Sequence, residues 1–482
     1  MLKFLYILNL ISFLFFPLNS SVWIKNYGVP NYNEIGTSVT TIDSVYYYIT
    51  GTTNTPGLGF YDGYLVKINS LGDTIFTCIY GGNGEDRFKS VTIFQDTLLV
   101  LAGWSNSFSS GDLDIYLVCI DQDGDTVWER TYGESGDDRS YQVIQSTDGQ
   151  IIVAGGSETS PGGDLDVFLI KLNQNGDTIW TSRVGGPGNE MAYAVCQLPN
   201  GNIVTCGYTQ SWGKGFKDIL LIGFSDQGDS IWARTYGGGF DDWANSIINF
   251  DNAIYIGGAT ESYGYGFWDN YIIKCNFYGD SIWTKTYGGN YREEIRQMIS
   301  HPSGDIWFTG WTESFGSGYT DILLTSIDSS GDENWTRYYG SFSYERGNAL
   351  ISTPEFGCIL VGEVWDLHWD DYNLYLIKTD SGGFTTGVVE QISSLINTAD
   401  GCRIQNFLIK PGWNILRFNL SLDINCQIRI YDLSGRELFS EKLLRSNQHD
   451  YQVKVNFRST GLFFYIIGDQ TGDQFGKIMV TE

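Results

Sequence analysis

Histidine is nearly missing from this chain. Only His301, His368 and His449 occur among 482 residues, in separate stretches, so no histidine-based metal constellation is visible. Positive charge is also scarce: 29 Lys and Arg stand against 56 Asp and Glu, a formal net charge of −27. Nucleic acid and anionic membrane surfaces are therefore poor partners, and the acidity suits solubility outside the cell. Long apolar runs are confined to residues 4–18, too short for a membrane span, so no integral membrane segment is expected. Signatures of nucleophile elbows, phosphate-binding loops and zinc-binding helices do not occur, and paired acids are too common to nominate a glycosidase pair. Neither a metal nor a cofactor is expected. Proline is sparse, with 9 residues, and no segment carries a helical period.

What is present is glycine, at 59 residues, aromatic residues at 15%, and a sentence repeated seven times. Trp128, Trp180, Trp232, Trp283 and Trp335 recur about every 52 residues, with Phe76 in the same slot one copy earlier. A period of this length marks units that cannot bury an apolar face alone and must stack on neighbours. The copy from Glu190 to Arg234 divides into four short runs, 192–197, 203–208, 218–224 and 231–236, separated by Gly, Asn and Asp turns. Four antiparallel strands per unit, repeated around an axis, predict an all-β, seven-bladed β-propeller. The seventh copy lacks its Trp strand after Asp380-Ser381-Gly382-Gly383. That strand stands at the front instead, as Trp23-Ile24-Lys25-Asn26-Tyr27-Gly28, with the spacing of Trp128 to Tyr132. The N-terminal strand should therefore complete the last blade and close the ring.

The expected organisation is a signal peptide over 1–20, the propeller over 21–384, a linker over 385–400 and a small C-terminal β-sandwich over 401–482. Lys3 and the apolar run behind it give the leader its character, although Asn19-Ser20-Ser21 lacks a clean small-x-small cleavage pattern; an uncleaved anchor is the alternative. Most of the eight cysteines fall singly in different copies and read as small apolar fillers. Cys196 with Cys206, and Cys402 with Cys426, are the pairs that could form disulfides.

The seven copies sort scaffold from site, because a shared demand keeps a residue in every copy and a binding site breaks the symmetry. Trp23, Trp128, Trp180, Trp232, Trp283 and Trp335 then read as packing residues between blades. The glycines at 72, 124, 176, 228, 279, 331 and 383 read as turn residues. Asp121-Gln122-Asp123-Gly124-Asp125 resembles part of a calcium loop, but sibling turns lose its mid-loop carboxylate, which favours turn chemistry. One acidic column opens the third strand of each copy, from Asp62 to Asp321, with Asn373 in the seventh. Another, Glu34, Asp86, Asp138, Glu190, Asp242, Glu293 and Glu345, precedes the first strand. It could ring one channel mouth and draw a cation or a basic peptide, screened by Arg87 and Arg139, or it could cap loop amides. Asymmetry lies in the loops between second and third strands. Trp212, Tyr265, Trp268, Trp365, His368, Trp369 and Asp370 are the ligand-binding candidates there, since exposed rings beside carboxylates suit sugars or peptides.

The turn D-x-x-G-x-x-x-W resembles the Trp-docking repeats of quinoprotein dehydrogenases and, more loosely, sialidase Asp-boxes. It departs from them in having seven units rather than eight, no adjacent Cys pair and a Gly-to-Trp spacing one residue longer than an Asp-box. Near the C-terminus, the segments "IYDLSGREL", "GLFFYII" and "KIMV" occur in order. Together they resemble the type A sorting domain of the bacterial type IX secretion system, and Tyr431, Asp432, Gly435, Arg436, Gly461 and Lys477 carry that likeness. Leu462-Phe463 departs from the usual Val/Ile-Tyr, and Lys410-Pro411-Gly412-Trp413 stands near where an Asn-Pro opening belongs. The resemblance implies the type IX machinery as a partner, with export to the cell surface or the medium. The functional expectation is a non-enzymatic binding or adhesion module for a glycan or an extracellular protein. A secreted carbohydrate-active enzyme and a structural surface-layer component are the alternatives.

Overall fold

The computed structural model describes residues 22–55, 59–109, 112–158, 163–341, 343–366 and 370–385 in full, and the backbone of eight strands between 402 and 480. Seven four-stranded antiparallel sheets follow one another along the chain. They form blades 1 (34–80), 2 (86–132), 3 (138–184), 4 (190–236), 5 (242–287), 6 (293–339) and 7 (345–378), the last completed by Trp23–Tyr27. That N-terminal strand pairs with Asp371–Lys378 from Trp23 opposite Lys378 to Tyr27 opposite Leu374. First strands of successive blades touch all the way round, including blade 7 with blade 1. The ring is closed, as the displaced Trp strand predicts.

The core lies between blades rather than within them. Each apolar cluster is shared by two neighbours: Ala194, Val204 and Leu221 of blade 4 meet Ala244, Ile254 and Ile273 of blade 5. Trp23 joins Ile49 and Val66 of blade 1 with Val361 and Leu376 of blade 7. Second and third strands are apolar on both faces because each face meets a neighbouring blade. Burial of each Leu or Ile there contributes about 1.5–3 kcal/mol.

A latch is repeated at the outer rim. The glycine of each third-to-fourth-strand turn has positive φ, as at Gly228 (+89°), and lies against the Trp of the preceding blade, or against Phe76 in the case of Gly124. A Cβ on Gly228 would stand 2.7 Å from the Trp180 ring, so the position is closed to side chains for space as well as for conformation. In every blade but the third, where Val184 takes the place, the fourth-strand Tyr donates its hydroxyl to the carbonyl of the next blade's turn glycine, as Tyr132 does to Gly176 (2.5 Å) and Tyr287 to Gly331 (2.6 Å). Asp121 accepts the backbone N–H groups of Asp123 (2.9 Å) and Asp125 (3.0 Å), an Asx turn that Asn69 repeats with Leu71 and Asp73.

Two details differ from expectation. The first strand of blade 4 begins at Glu190 rather than at 192, because Glu190 still pairs with Thr209. Cys196 and Cys206 are both free: Cys206 faces Ala194 and Cys196 faces Val204, so the two are not partners across the hairpin. Cys426 lies outside the described residues. At the C-terminus two further four-stranded sheets form, one from strands of 402–457 and one from strands of 427–480. Tyr431, Gly461 and Lys477 sit on strands of the second sheet, where Phe464 pairs with both Tyr431 and Lys477. Asp432, Gly435 and Arg436 lie outside the described residues.

Candidate functional site

Two acidic columns meet on the face where second-to-third-strand loops and blade-to-blade connections emerge. The column preceding the first strands is buried and accepts backbone N–H groups. Asp86 takes Gly82 N–H (2.8 Å), Glu190 takes Gly186 N–H (2.6 Å) and Glu293 takes Gly289 N–H (2.9 Å). The second-strand Thr adds its hydroxyl, as Thr209 does to Glu190 (2.7 Å). These carboxylates cap loops. The alternative of a cation-drawing ring is set aside, and Arg87 and Arg139 do not screen them but pair with Glu85 (2.7 Å) and Asp137 (2.6 Å). The second column caps the loops themselves: Asp218 accepts the Lys214 and Gly215 N–H groups, each at 2.8 Å. Asp269 repeats this with Tyr265 and Gly266, and Asp321 with Ser317 and Gly318.

Held this way, the loops sort the candidate aromatics into three settings. Tyr265 is 91% exposed and Phe216 76% exposed, with Phe60 and Phe267 also in solvent. Tyr319 stacks on Tyr344 of the adjoining connection at 4.7 Å and 10°. Trp212, 39% exposed, leans on its neighbouring connection, where a Cβ on Gly186 would meet its ring at 3.3 Å. Trp365 packs edge-on to Tyr372 at 4.6 Å, and Asp370 is exposed. Trp268 turns inward, at 5.1 Å from Trp243 and 6.2 Å from Trp311, with its indole N–H on Glu261. His368 and Trp369 lie outside the described residues.

Trp268 leads to a set of residues that sequence reasoning missed. The second and fourth positions of the innermost strands stay outside the apolar clusters and face the axis; most are half-buried, while Met191 and Glu294 are buried. Lys89 of blade 2 feels Arg296 of blade 6 and Glu363 of blade 7, and Tyr193 of blade 4 feels Glu294 and Arg296. Such non-neighbouring blades approach one another only across the channel. Glu294 is a hub there, accepting the indole N–H groups of Trp243 (2.8 Å) and Trp311 (3.0 Å), the Asn245 amide (2.8 Å) and Arg296 (3.0 Å). Tyr141 and Tyr193 meet edge to face at 4.8 Å, with Trp104 5.6 Å beyond Tyr141. The missed signal was in the copies themselves: these two positions read Arg and Lys in blade 2, Arg and Tyr in blade 3, Trp and Asn in blade 5, Glu and Arg in blade 6.

The fold defines a seven-bladed propeller followed by a small all-β unit. Residues 411–481 of that unit match the family described as the secretion system C-terminal sorting domain. The chain is thus a propeller with a type IX sorting tail, which implies a secreted or cell-surface protein handled by that secretion machinery. No helix among the described residues is long and apolar enough to cross a membrane. No curated protein matches the chain. Solved structures resemble it at the level of fold. A novel fungal alcohol oxidase of the AA5 family, in complex with copper, shares 12% identity over 95% of this chain and 99% of its own, with a TM-score of 0.47. The Pseudomonas brassicacearum lignostilbene dioxygenase shares 9% over 76% and 90%, with a TM-score of 0.44. A puromycin hydrolase shares 13% over 81% and 60%, with a TM-score of 0.45. The expectation that the chain is not an enzyme is corrected by these neighbours, which are an oxidase, a dioxygenase and a hydrolase.

Proposed function

We propose that the propeller is a glycan-binding module exported by the type IX route, with its loop face turned to the sugar. The observation that carries this is the solvent exposure of rings on three loops of one face, Phe60, Phe216, and the pair Tyr265 and Phe267. A ring free on both sides stacks on the apolar face of a pyranose, and the glycines beside it leave room for hydroxyls. Protein partners favour a contiguous apolar centre, whereas these rings are parted by Gly264, Gly266 and Gly215. Trp212, Trp365 and Asp370 extend the same face. The chain order puts His368 and Trp369 in the corresponding loop of blade 7. Trp268 belongs to the channel wall.

A glycan array followed by titration of the best hit tests the reading. The double variant Y265A/F267A should weaken binding about tenfold or more, with the melting temperature unchanged, since neither ring is part of a core cluster. An empty array, or undiminished affinity in that variant, contradicts it.

A further inference from the structure

The channel wall carries charge opposed to that of the whole chain. Against a net −27, it gathers Arg87, Lys89, Arg139, Arg296 and Arg346, faced from the strand walls by Glu294 and Glu363. Arg87 and Arg139 are paired at the mouth, and Arg296 is paired with Glu294 at 3.0 Å. Arg346 reaches Glu363 only at 3.8 Å. Lys89 makes no ion pair or hydrogen bond among the described residues, and its ammonium sits 5.4 Å over the Trp104 ring. Burial, then the Arg87 and Arg296 charges, push that ammonium down to about 8 against the pull of Glu363. Lys89 is thus the one cation of the five without an ion pair among the described residues, and Arg346, Arg296 and Lys89 all converge on the buried carboxyl of Glu363. Donors also stand idle: the Nε–H groups of Arg296 and Arg346 and the indole N–H of Trp104 are buried without an acceptor among the described residues. Buried donors left so are rare, and the Nε–H groups of Arg139 and Arg183 share the condition.

We propose that the central channel binds a ring-borne carboxylate of the sugar-acid class. Lys89, Arg296 and Arg346 hold the anionic group, and the Trp104, Tyr141 and Tyr193 wall receives the ring. Guanidinium forks and an ammonium suit a carboxylate in an enclosed, low-dielectric setting. Trp104, Tyr141 and Tyr193 run as one aromatic surface beside those cations, at 5.6 and 4.8 Å between successive rings. Aromatic walls with a few convergent polar groups are the usual make-up of a small-molecule pocket. The site is built from first and second strands of the blades and does not rest on the loop-face reading, so Y265A/F267A should leave it intact.

The test is calorimetric titration of the full chain with glucuronate, glucose, benzoate and inorganic phosphate. Glucuronate should bind with one site per chain and glucose should not. K89M should weaken glucuronate about ten- to hundredfold, the scale of a lost hydrogen bond to a charged group, and K89R should restore most of it. Because Lys89 has no partner to orphan, the melting temperature of K89M should match that of the parent. Benzoate binding in place of glucuronate overturns the sugar assignment. Phosphate binding as well as glucuronate overturns recognition of the ring. Glucuronate affinity unmoved by K89M, or no binding by any of the four, overturns the site.

Discussion

At the scale of single residues, symmetry and its breaking separate two populations. Trp180 is repeated in its neighbours, lies against Gly228 of the next blade and donates its indole N–H to Asp226 (3.3 Å). Trp180→Ala should therefore cost about 2–3 kcal/mol in urea unfolding, below the 3–5 kcal/mol of a fully buried Trp because one edge of the ring meets solvent. Tyr265 has no counterpart in most copies and touches little, so its loss should be read in affinity. This scaffold was legible in the sequence, because a rotation of one blade in space is a translation of about 52 residues along the chain. The channel was not. Arg87, Tyr141, Trp243 and Arg296 come from four copies, and nothing local in any of them signals that they share an axis.

At the scale of elements, the turn between blades depends on a buried carboxyl. Glu34 and Glu345 are pushed up to about 7, by burial first, while the Val29 N–H pulls Glu34 back and the Ser341 hydroxyl, then its N–H, pulls Glu345 back. In the unfolded chain each releases its proton at the ordinary glutamate value of about 4.3. The folded chain keeps it longer, so the stabilisation present at acid pH is lost as pH rises through about 7. Scanning calorimetry should accordingly find a lower melting temperature at pH 7.5 than at pH 5, and E34Q/E345Q should flatten that slope. A slope unchanged in the double variant assigns the effect to other carboxyls. Element boundaries also explain part of what the sequence concealed. Every first strand bulges at its fourth position, as between Ser140 and Gln142 or Ile295 and Gln297. The bulge reverses the parity of the side chains, so simple alternation misassigns which residues face the axis. The acids ahead of these strands were visible as a column, but only their hydrogen bonds decide that they cap loops.

At the scale of the whole molecule, one strand taken from the wrong end of the chain holds the ring shut. Trp23–Tyr27 pairs along its full length with Asp371–Lys378, and Trp23 is buried in the cluster that joins blade 7 to blade 1. Without it, blade 7 would present an unpaired edge, and the loops and channel of that sector would lose their fixed relation to the rest. The loop face and the channel wall both inherit their geometry from this closure. Thermal unfolding of the chain lacking residues 22–28 tests it most directly. A melting temperature lowered by about 10 °C or more, or loss of a single cooperative transition, is the predicted result; a melting curve superimposable on the parent's would contradict a ring closed by its N-terminal strand.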